Sequence, residues 1–178
     1  MELPTSFPAV MGLGNPGPAY ARTYHNAGFI AVHSISNELA RETGSAPEWR
    51  KRRHFRYKRY RGMVLAETLV HMNESGLAVA EALAWLKLRP EQMLVIHDDS
   101  DIALGAFKIS FGRNSAGHRG VESAIQALGT NRFFRARLGV RAKPGKAEAF
   151  VLKRITSGDE KLLQGAIEEL TKKVITKA

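Results

Sequence analysis

The sequence contains no cysteine among its 178 residues. This absence excludes disulfides, thiolate nucleophiles and cysteine-ligated zinc or iron–sulfur sites. Long apolar runs are lacking as well, since none approaches the roughly 18 residues that span a bilayer. The first residues have neither the basic nor the apolar stretch of a secretory signal. We therefore expect a cytoplasmic protein with no membrane partner.

Acidic residues are scarce relative to basic ones. The chain has 17 aspartates and glutamates against 27 lysines and arginines, which gives a formal net charge of +10 and a pI of about 10.1. A large positive charge attracts polyanions, so a nucleic acid partner is favoured.

Much of this charge lies in residues 50–61, here called the basic segment. Its eight cations, with no acid among them, are Arg50, Lys51, Arg52, Arg53, Arg56, Lys58, Arg59 and Arg61. Phe55, Tyr57 and Tyr60 are interleaved with these cations. We interpret the basic segment as a surface that contacts phosphates. The alternative is a solvated strand whose aromatic residues face the core.

The length and a hydrophobic content of 44% predict one globular domain over residues 1–178. Apolar periodicity predicts helices over residues 26–44, 75–88, 118–128 and 159–175, and strands near residues 9–13, 54–60, 63–66, 93–96, 107–111 and 134–140. Strands and helices mix without strict alternation. We therefore expect an α/β fold with a mixed, twisted central sheet covered by helices on both faces.

Polar or glycine-rich loops follow three of the predicted strands, at residues 14–18, 97–101 and 112–117. Ligands in α/β sheets gather at the carboxyl ends of strands. These loops are therefore the candidate functional sites.

The first loop matches the dinucleotide-binding pattern G-x-G-x-x-G at Gly12, Gly14 and Gly17, which raises the alternative of a cofactor-dependent oxidoreductase. The context argues against it. Pro16 and Pro18 restrict the backbone where the phosphate-binding helix would begin. We therefore expect no cofactor.

The second loop contains His97, Asp98, Asp99 and Asp101, residue types that also bind metals. No second cluster of ligands accompanies them in the sequence. We favour a metal-free site in which a carboxylate orients a histidine.

His25 is the candidate for that histidine, because it follows the Asn15 loop and directly precedes a predicted helix. A histidine, an aspartate and carboxamides, with no cysteine and no serine in an elbow motif, suggest activation of water rather than a covalent intermediate. Amide groups of Asn15 or Asn73 would then stabilise a carbonyl oxygen as it becomes negative.

The chain resembles the bacterial-type peptidyl-tRNA hydrolase family in four motifs. Residues 12–29, GLGNPGPAYARTYHNAGF, are similar to the signature G-L-G-N-P-G-x-x-Y-x-x-T-R-H-N-x-G. Residues 71–76, 97–102 and 117–121 are similar to F-M-N-x-S-G, H-D-E-L-D-L and G-H-N-G-L, in the same order. The resemblance extends from about residue 8 to the final helix.

The resemblance implies a peptidyl-tRNA hydrolase-like fold and a monomeric, metal-free enzyme. Such an enzyme hydrolyses the ester between a peptide, or an N-blocked amino acid, and the terminal ribose of tRNA, and so recycles tRNA. His25 would be the base that activates water, Asp98 its orienting partner, and Asn15 a group that positions the ester. The implied substrate-binding residues are Tyr20, Met72, Asn73 and Arg119 around the pocket, with Lys108 and Arg137 as a pair that grips phosphate.

The sequence departs from the family pattern at two notable positions. Tyr24 replaces an arginine, and Arg119 replaces an asparagine that positions substrate and water. A guanidinium cannot accept a hydrogen bond, so Arg119 would grip a phosphate or the developing oxyanion, or would impair turnover. Because His25 and Asp98 are present, we expect an active enzyme. The alternative is a non-catalytic RNA-binding homologue similar to a splicing factor.

Overall fold

The computed structural model describes Pro4 and residues 6–60, 62–141 and 150–175, which contain seven strands and four α-helices. The strands are β1 (Ala9–Gly12), β2 (Arg50–Lys51), β3 (Phe55–Tyr60), β4 (Met63–Thr68), β5 (Met93–Ala103), β6 (Phe107–Phe111) and β7 (Phe134–Arg141). The helices are α1 (Ala27–Thr43), α2 (Ser75–Leu86), α3 (Arg119–Leu128) and α4 (Ser157–Ile175). Short 3₁₀ helices at Tyr24–Asn26 and Met72–Glu74 lead into α1 and α2. None of the helices in these ranges is long and apolar enough to cross a membrane.

All seven strands form one mixed sheet in the order β2-β3-β4-β1-β5-β7-β6. Strands β4, β1, β5 and β7 are parallel, whereas β3 runs antiparallel to β4 and β6 antiparallel to β7. The carboxyl ends of the four parallel strands therefore lie at the same edge as the beginnings of β3 and β6. We call this edge the carboxyl edge.

The helices cover both faces of the sheet, which confirms the fold expected from the sequence. On one face, α1 and α4 pack against each other and against buried residues such as Val10, Leu94 and Leu138. On the other face, α2 and α3 enclose a second core that contains Met11, Val95 and Phe133. Alternate residues of the central strands thus enter different cores, as the period of a strand requires.

Helix α1 makes a close approach to the sheet at Gly28. A β-carbon at this position would lie 2.4 Å from the carbonyl oxygen of Ile96 and 2.5 Å from that of Leu13. Only glycine allows the backbones to come this close. The approach places the beginning of α1, and His25 just before it, beside the ends of β1 and β5.

Strand β5 is longer than the sequence indicates. We expected it to end at Ile96 and to be followed by a polar turn, but it continues to Ala103. His97, Asp98 and Asp99 pair in parallel register with Arg137, Leu138 and Gly139 of β7, and the register shifts only after Asp99. Pairing on the β7 side, rather than hydrophobicity, extends the strand through these polar residues.

Candidate active site

A cleft of about 400 Å³ opens at the carboxyl edge of the sheet. Residues from five separate parts of the sequence line it: Asn15, His25, His71, Met72, Asn73, Arg119, Val151 and Leu152. The fold therefore brings together the Asn15 loop, His25, the 71–76 motif and the beginning of α3, which the sequence analysis had connected only by residue type and by resemblance.

His25 and Asp98 form a hydrogen-bonded pair beside this cleft. Nδ1 of His25 lies 2.9 Å from Oδ1 and 3.0 Å from Oδ2 of Asp98. The Asp98 side chain is only 3% exposed, whereas that of His25 is 12% exposed. Because the ionised carboxylate can only accept, Nδ1 of His25 is the donor, and Nε2 is the ring nitrogen that Asp98 does not engage.

A second histidine, His118, binds the same carboxylate. Its Nε2 lies 2.9 Å from Oδ1 of Asp98, and its Nδ1 accepts a hydrogen bond from the backbone N–H of Val121 at 3.2 Å. Because Nδ1 of His118 acts as an acceptor, the hydrogen bond to Asp98 is donated from Nε2. The sequence analysis assigned no role to His118, although it lies within the quoted 117–121 motif.

These two imidazoles keep Asp98 ionised. Burial by itself raises the pKa of the Asp98 carboxyl, but the electrostatic interaction and hydrogen bond with His118 and those with His25 outweigh it. The pKa of Asp98 is therefore held well below its usual range. An ionised carboxylate stabilises the positive charge that develops when the His25 imidazole takes a proton.

His97 lies behind this pair and stays neutral. Burial, and then the electrostatic interactions with His118 and Arg135, lower the pKa of His97 well below its usual value. Its Nδ1 donates to the carbonyl oxygen of Asp98 at 2.6 Å, and its ring packs edge-on against that of His118 with centroids 4.6 Å apart. His97 thus supports Asp98 and His118 from inside the protein.

Arg135 holds the loop that leads to His118. Its Nη2 donates to the carbonyl oxygens of Arg113 at 2.8 Å and Asn114 at 3.0 Å. Burial and the neighbouring charge of Arg137 lower the pKa of Arg135 to about 10, so it remains charged at neutral pH. This buried arginine was not predicted from the sequence.

The Asn15 loop is fixed by a second asparagine, Asn26. Oδ1 of Asn26 accepts the Asn15 N–H at 2.8 Å, and Nδ2 of Asn26 donates to the Asn15 carbonyl at 2.9 Å. Oδ1 of Asn15 in turn accepts the N–H of Met72 at 2.8 Å. The Asn15 oxygen is thus engaged, and its Nδ2, which has no partner within the described ranges, is left as a donor at the cleft that Asn15 lines.

The other pocket residues suggested by the resemblance surround this donor. Met72 is buried, while Asn73 and Arg119 are exposed, and all three line the cleft. Tyr20 is not among the lining residues, but its ring lies edge-on to that of His71, with centroids 6.4 Å apart. Tyr20 therefore lies at the rim of the cleft.

Tyr24, the first departure from the family pattern, points away from the cleft. Its ring packs edge-on against Phe150, and its hydroxyl donates to a carboxylate oxygen of Asp159 at the beginning of α4. Burial and the Asp159 carboxylate raise the pKa of Tyr24. Tyr24 thus joins α4 to the segment that contains His25.

Lys108 and Arg137 lie directly opposite each other on β6 and β7. Lys108 is exposed, whereas Arg137 is partly buried and donates from Nε to Oδ2 of Asp99 at 2.7 Å. Neither residue lines the cleft. The two cations form a separate pair on the β6 side of the active site.

The basic segment lies on the opposite side of the active site, at the β2–β3 end of the sheet. Arg61 lies outside the described residues, and the rest of the segment forms β2, β3 and the turn between them. Five strand spacings separate β3 from β6 in the sheet order, roughly 24 Å at about 4.8 Å each. The segment therefore does not extend the Lys108 and Arg137 pair.

The side chains that lie close enough together to share a metal ion are not the group of His97, Asp98, Asp99 and Asp101 considered from the sequence. Asp99 pairs with Arg137, and Asp101 is exposed, so the 97–101 group does not face one point. Within the described ranges, one group qualifies: His25, Asp98 and His118 each offer a ligand atom within 4.8 Å of the others. These atoms are already hydrogen-bonded to one another, because Nδ1 of His25 and Nε2 of His118 each contact the Asp98 carboxylate.

The backbone after β1 does not match a dinucleotide site. Residues 17–22 form turns, and the first α-helix begins only at Ala27. The phosphate-binding helix terminus that G-x-G-x-x-G requires is not present directly after Gly17.

Comparison with known proteins shows which sequences this chain is similar to. The family model described as peptidyl-tRNA hydrolase matches residues 9–177. Peptidyl-tRNA hydrolase from Nitratidesulfovibrio vulgaris is 37% identical over 164 residues, which cover 86% of this chain and 81% of that protein. The enzyme of that name from Aquifex aeolicus is 38% identical over 165 residues, with 90% and 84% covered.

Comparison with solved structures finds a member of the same family. The crystal structure of peptidyl-tRNA hydrolase from Acinetobacter baumannii superimposes with a TM-score of 0.82 at 26% identity, covering 98% of this chain and 90% of that one. The match of sequence, fold and motif order over nearly the whole chain is sufficient to assign the family. The chain belongs to the peptidyl-tRNA hydrolase family.

Proposed function

We propose that this protein hydrolyses the ester bond between a peptide, or an N-blocked amino acid, and the terminal ribose of tRNA. The observation that carries the proposal is the pair formed by His25 and the ionised Asp98 at the cleft. A buried carboxylate on Nδ1 leaves Nε2 as a base, which is the arrangement that activation of water requires.

In the proposed reaction, Nε2 of His25 removes a proton from a water molecule while the water oxygen attacks the ester carbonyl carbon. The carbonyl oxygen becomes negative in the tetrahedral intermediate. Its collapse breaks the bond between the carbonyl carbon and the ribose oxygen. His25 then returns the proton to that oxygen, which leaves a free carboxylic acid and a free tRNA hydroxyl. Asp98 remains ionised throughout and orients the imidazole.

Hydrogen-bond donors around the cleft would stabilise the negative charge that develops on the carbonyl oxygen. Nδ2 of Asn15 is the proposed oxyanion donor, because the Met72 N–H fixes the other end of the same amide. Asn73 is exposed, also lines the cleft and would hold the terminal nucleotide. Arg119, which also lines the cleft, adds a cation that grips a phosphate or the oxyanion.

The charge of the protein suits an RNA substrate. With a net charge of +10, the chain attracts tRNA at long range, and the Lys108 and Arg137 pair would hold a phosphate near the acceptor end. We expect the enzyme to act in the cytoplasm as a monomer. No step of the proposed reaction requires a metal or a cofactor.

The test is release of the acyl group from N-blocked aminoacyl-tRNA and from free aminoacyl-tRNA, each assayed with EDTA present. We expect rapid, selective hydrolysis of the blocked substrate by the wild-type protein, and loss of hydrolysis in His25→Ala with tRNA binding retained. Hydrolysis that persists in His25→Ala would contradict the proposed role of His25. If hydrolysis required added metal, the group of His25, Asp98 and His118 would be the candidate for its ligands.

No finding favours the alternative of a non-catalytic RNA-binding homologue. The relatives described above carry the name of the hydrolase, and His25 and Asn15 line the cleft, with Asp98 bound to His25. The alternative predicts tRNA binding without hydrolysis in the same assay.

A further inference from the structure

The basic segment presents cations on both faces of the sheet at its β2–β3 end. On the α2 face, the guanidinium of Arg59 lies 5.3 Å from the ring centroid of Trp85, and that of Arg52 lies 5.2 Å from it. On the α1 face, Arg56 and Lys58 lie over the ring of Trp49, at 4.7 Å and 5.3 Å. Two tryptophans thus fix four cations in place.

Most of these charges have no acidic partner. Arg56 binds Glu67 and Arg52 lies 3.6 Å from Glu81, but no ion pair within the described ranges involves the remaining five cations. Those five are Arg50, Lys51, Arg53, Lys58 and Arg59. Lys51 even lies directly opposite Arg56 in the β2–β3 pairing, where like charges destabilise a sheet. An anionic partner would remove this repulsion.

We propose that the basic segment is a second RNA-binding surface, which holds phosphates of an RNA segment other than the one placed at Lys108 and Arg137. The two cationic surfaces lie on opposite sides of His25, about 24 Å apart by strand spacing. The proposal is independent of the hydrolytic function.

The stacking favours phosphate contacts over base contacts. The guanidinium of Arg59 lies over the Trp85 ring and occupies the aromatic face that a base would need, while no ion pair in the described ranges takes up its N–H groups, which are left for phosphate oxygens. Contacts of this kind fix an RNA backbone without reading its sequence. Charges on an edge strand can also serve only to prevent aggregation of sheet edges, and the experiment separates these two roles.

The experiment measures binding of an RNA hairpin that has blunt ends and carries no ester. The test variant combines Arg50→Gln, Lys51→Gln and Arg53→Gln, because all three side chains are exposed and none has an acidic or aromatic partner in the described structure. The control variant combines Lys161→Gln, Lys172→Gln and Lys173→Gln, which remove the same number of charges from exposed positions on α4. Circular dichroism checks that both variants fold.

We expect the test variant to bind the hairpin at least about tenfold more weakly at moderate salt. Its plot of log affinity against log salt should be less steep by about two to three units, roughly one for each lost phosphate contact. The control variant should resemble the wild type. Equal affinity of the test variant and the wild type, equal losses in both variants, or no binding by the wild type would each overturn the proposal. Hydrolysis by the wild type in the separate assay decides the proposed function independently.

Discussion

Nε2 of His118 lies 2.9 Å from Oδ1 of Asp98, the same oxygen that lies 2.9 Å from Nδ1 of His25, so the buried carboxylate is shared by two histidines. His118 does not line the cleft, and its other nitrogen is engaged by the Val121 N–H. It is therefore proposed to act as a positioning residue, through its hydrogen bond to Asp98 and the contact of its ring with that of His25, whose centroid lies 5.0 Å away.

Replacing His118 with alanine should lower kcat by about 10- to 100-fold with a much smaller change in KM. A hydrogen bond to a charged group contributes about 1.5–3 kcal/mol, and about 1.4 kcal/mol corresponds to a tenfold change in rate. Steady-state hydrolysis of N-blocked aminoacyl-tRNA measures both constants. His118→Gln, whose amide can donate to Asp98, should recover part of the rate; an equal loss in both variants would point to a packing role instead.

The depressed pKa of Asp98 predicts how stability depends on pH. A carboxyl that ionises more readily in the folded state stabilises the protein above the unfolded pKa, about 3.9, and this stabilisation is lost as the pH falls toward the folded pKa. The destabilisation caused by Asp98→Asn should therefore be largest near pH 7 and shrink below about pH 4. Urea unfolding of both proteins between pH 3 and pH 7 measures this difference, and a constant difference would contradict the assignment.

Gly28→Ala should destabilise the fold by about 1–3 kcal/mol, since the added methyl group collides with the carbonyl oxygens of Ile96 and Leu13. Gly165→Ala is the matched control. A β-carbon at Gly165 in α4 meets no atom within 4 Å, so alanine should stabilise that helix by about 0.5–1 kcal/mol. Chemical denaturation gives both values, and a neutral Gly28→Ala would show that α1 can move away from the sheet.

Arg119→Asn should preserve or raise kcat, because it restores the amide that the family pattern places at this position. The measurement is again hydrolysis of N-blocked aminoacyl-tRNA. A loss of more than about tenfold would show instead that the guanidinium contacts the phosphate or the oxyanion in this particular cleft.

Lys108→Gln should raise KM for full-length tRNA substrates and make the salt dependence of binding less steep by about one unit. Lys108 is the better test of the phosphate-binding pair, since replacing Arg137 would also leave the buried Asp99 carboxylate without its partner. Lys161→Gln, an exposed charge on α4, serves as the control. Equal KM values for Lys108→Gln and the control would remove Lys108 from the tRNA-binding surface.

The sequence was most informative where the local pattern decides the structure. The apolar spacing from Phe29 to Leu39 predicts α1, and Gly44, which adopts a left-handed conformation, ends it. Likewise, Gly62 separates the antiparallel strands β3 and β4 as predicted. These signals lie within the elements themselves and do not depend on tertiary structure.

Long-range contacts account for what the sequence did not predict. Strand β5 continues through His97 and Asp98 because β7, some 40 residues later, pairs with it. The role of His118 depends on a contact across 20 residues, and that of Asn26 on a loop 11 residues earlier. Residue types alone indicated polar groups at these positions but not their partners. The resemblance suggested the catalytic pair, and the fold supplied the residues that support it.

The position of Asp98 inside β5 has a consequence for the order in which the protein loses structure. A carboxylate on a surface turn could drift while the rest of the molecule stays folded. Asp98 instead belongs to β5, a strand in the middle of the sheet, and pairs there with Leu138 of β7 beyond the point where β1 ends. Its displacement requires the β5–β7 ladder to open, an event that belongs to global rather than local unfolding. The catalytic centre should therefore persist in each molecule until the whole domain unfolds, so residual activity under denaturing conditions reports the fraction of folded protein.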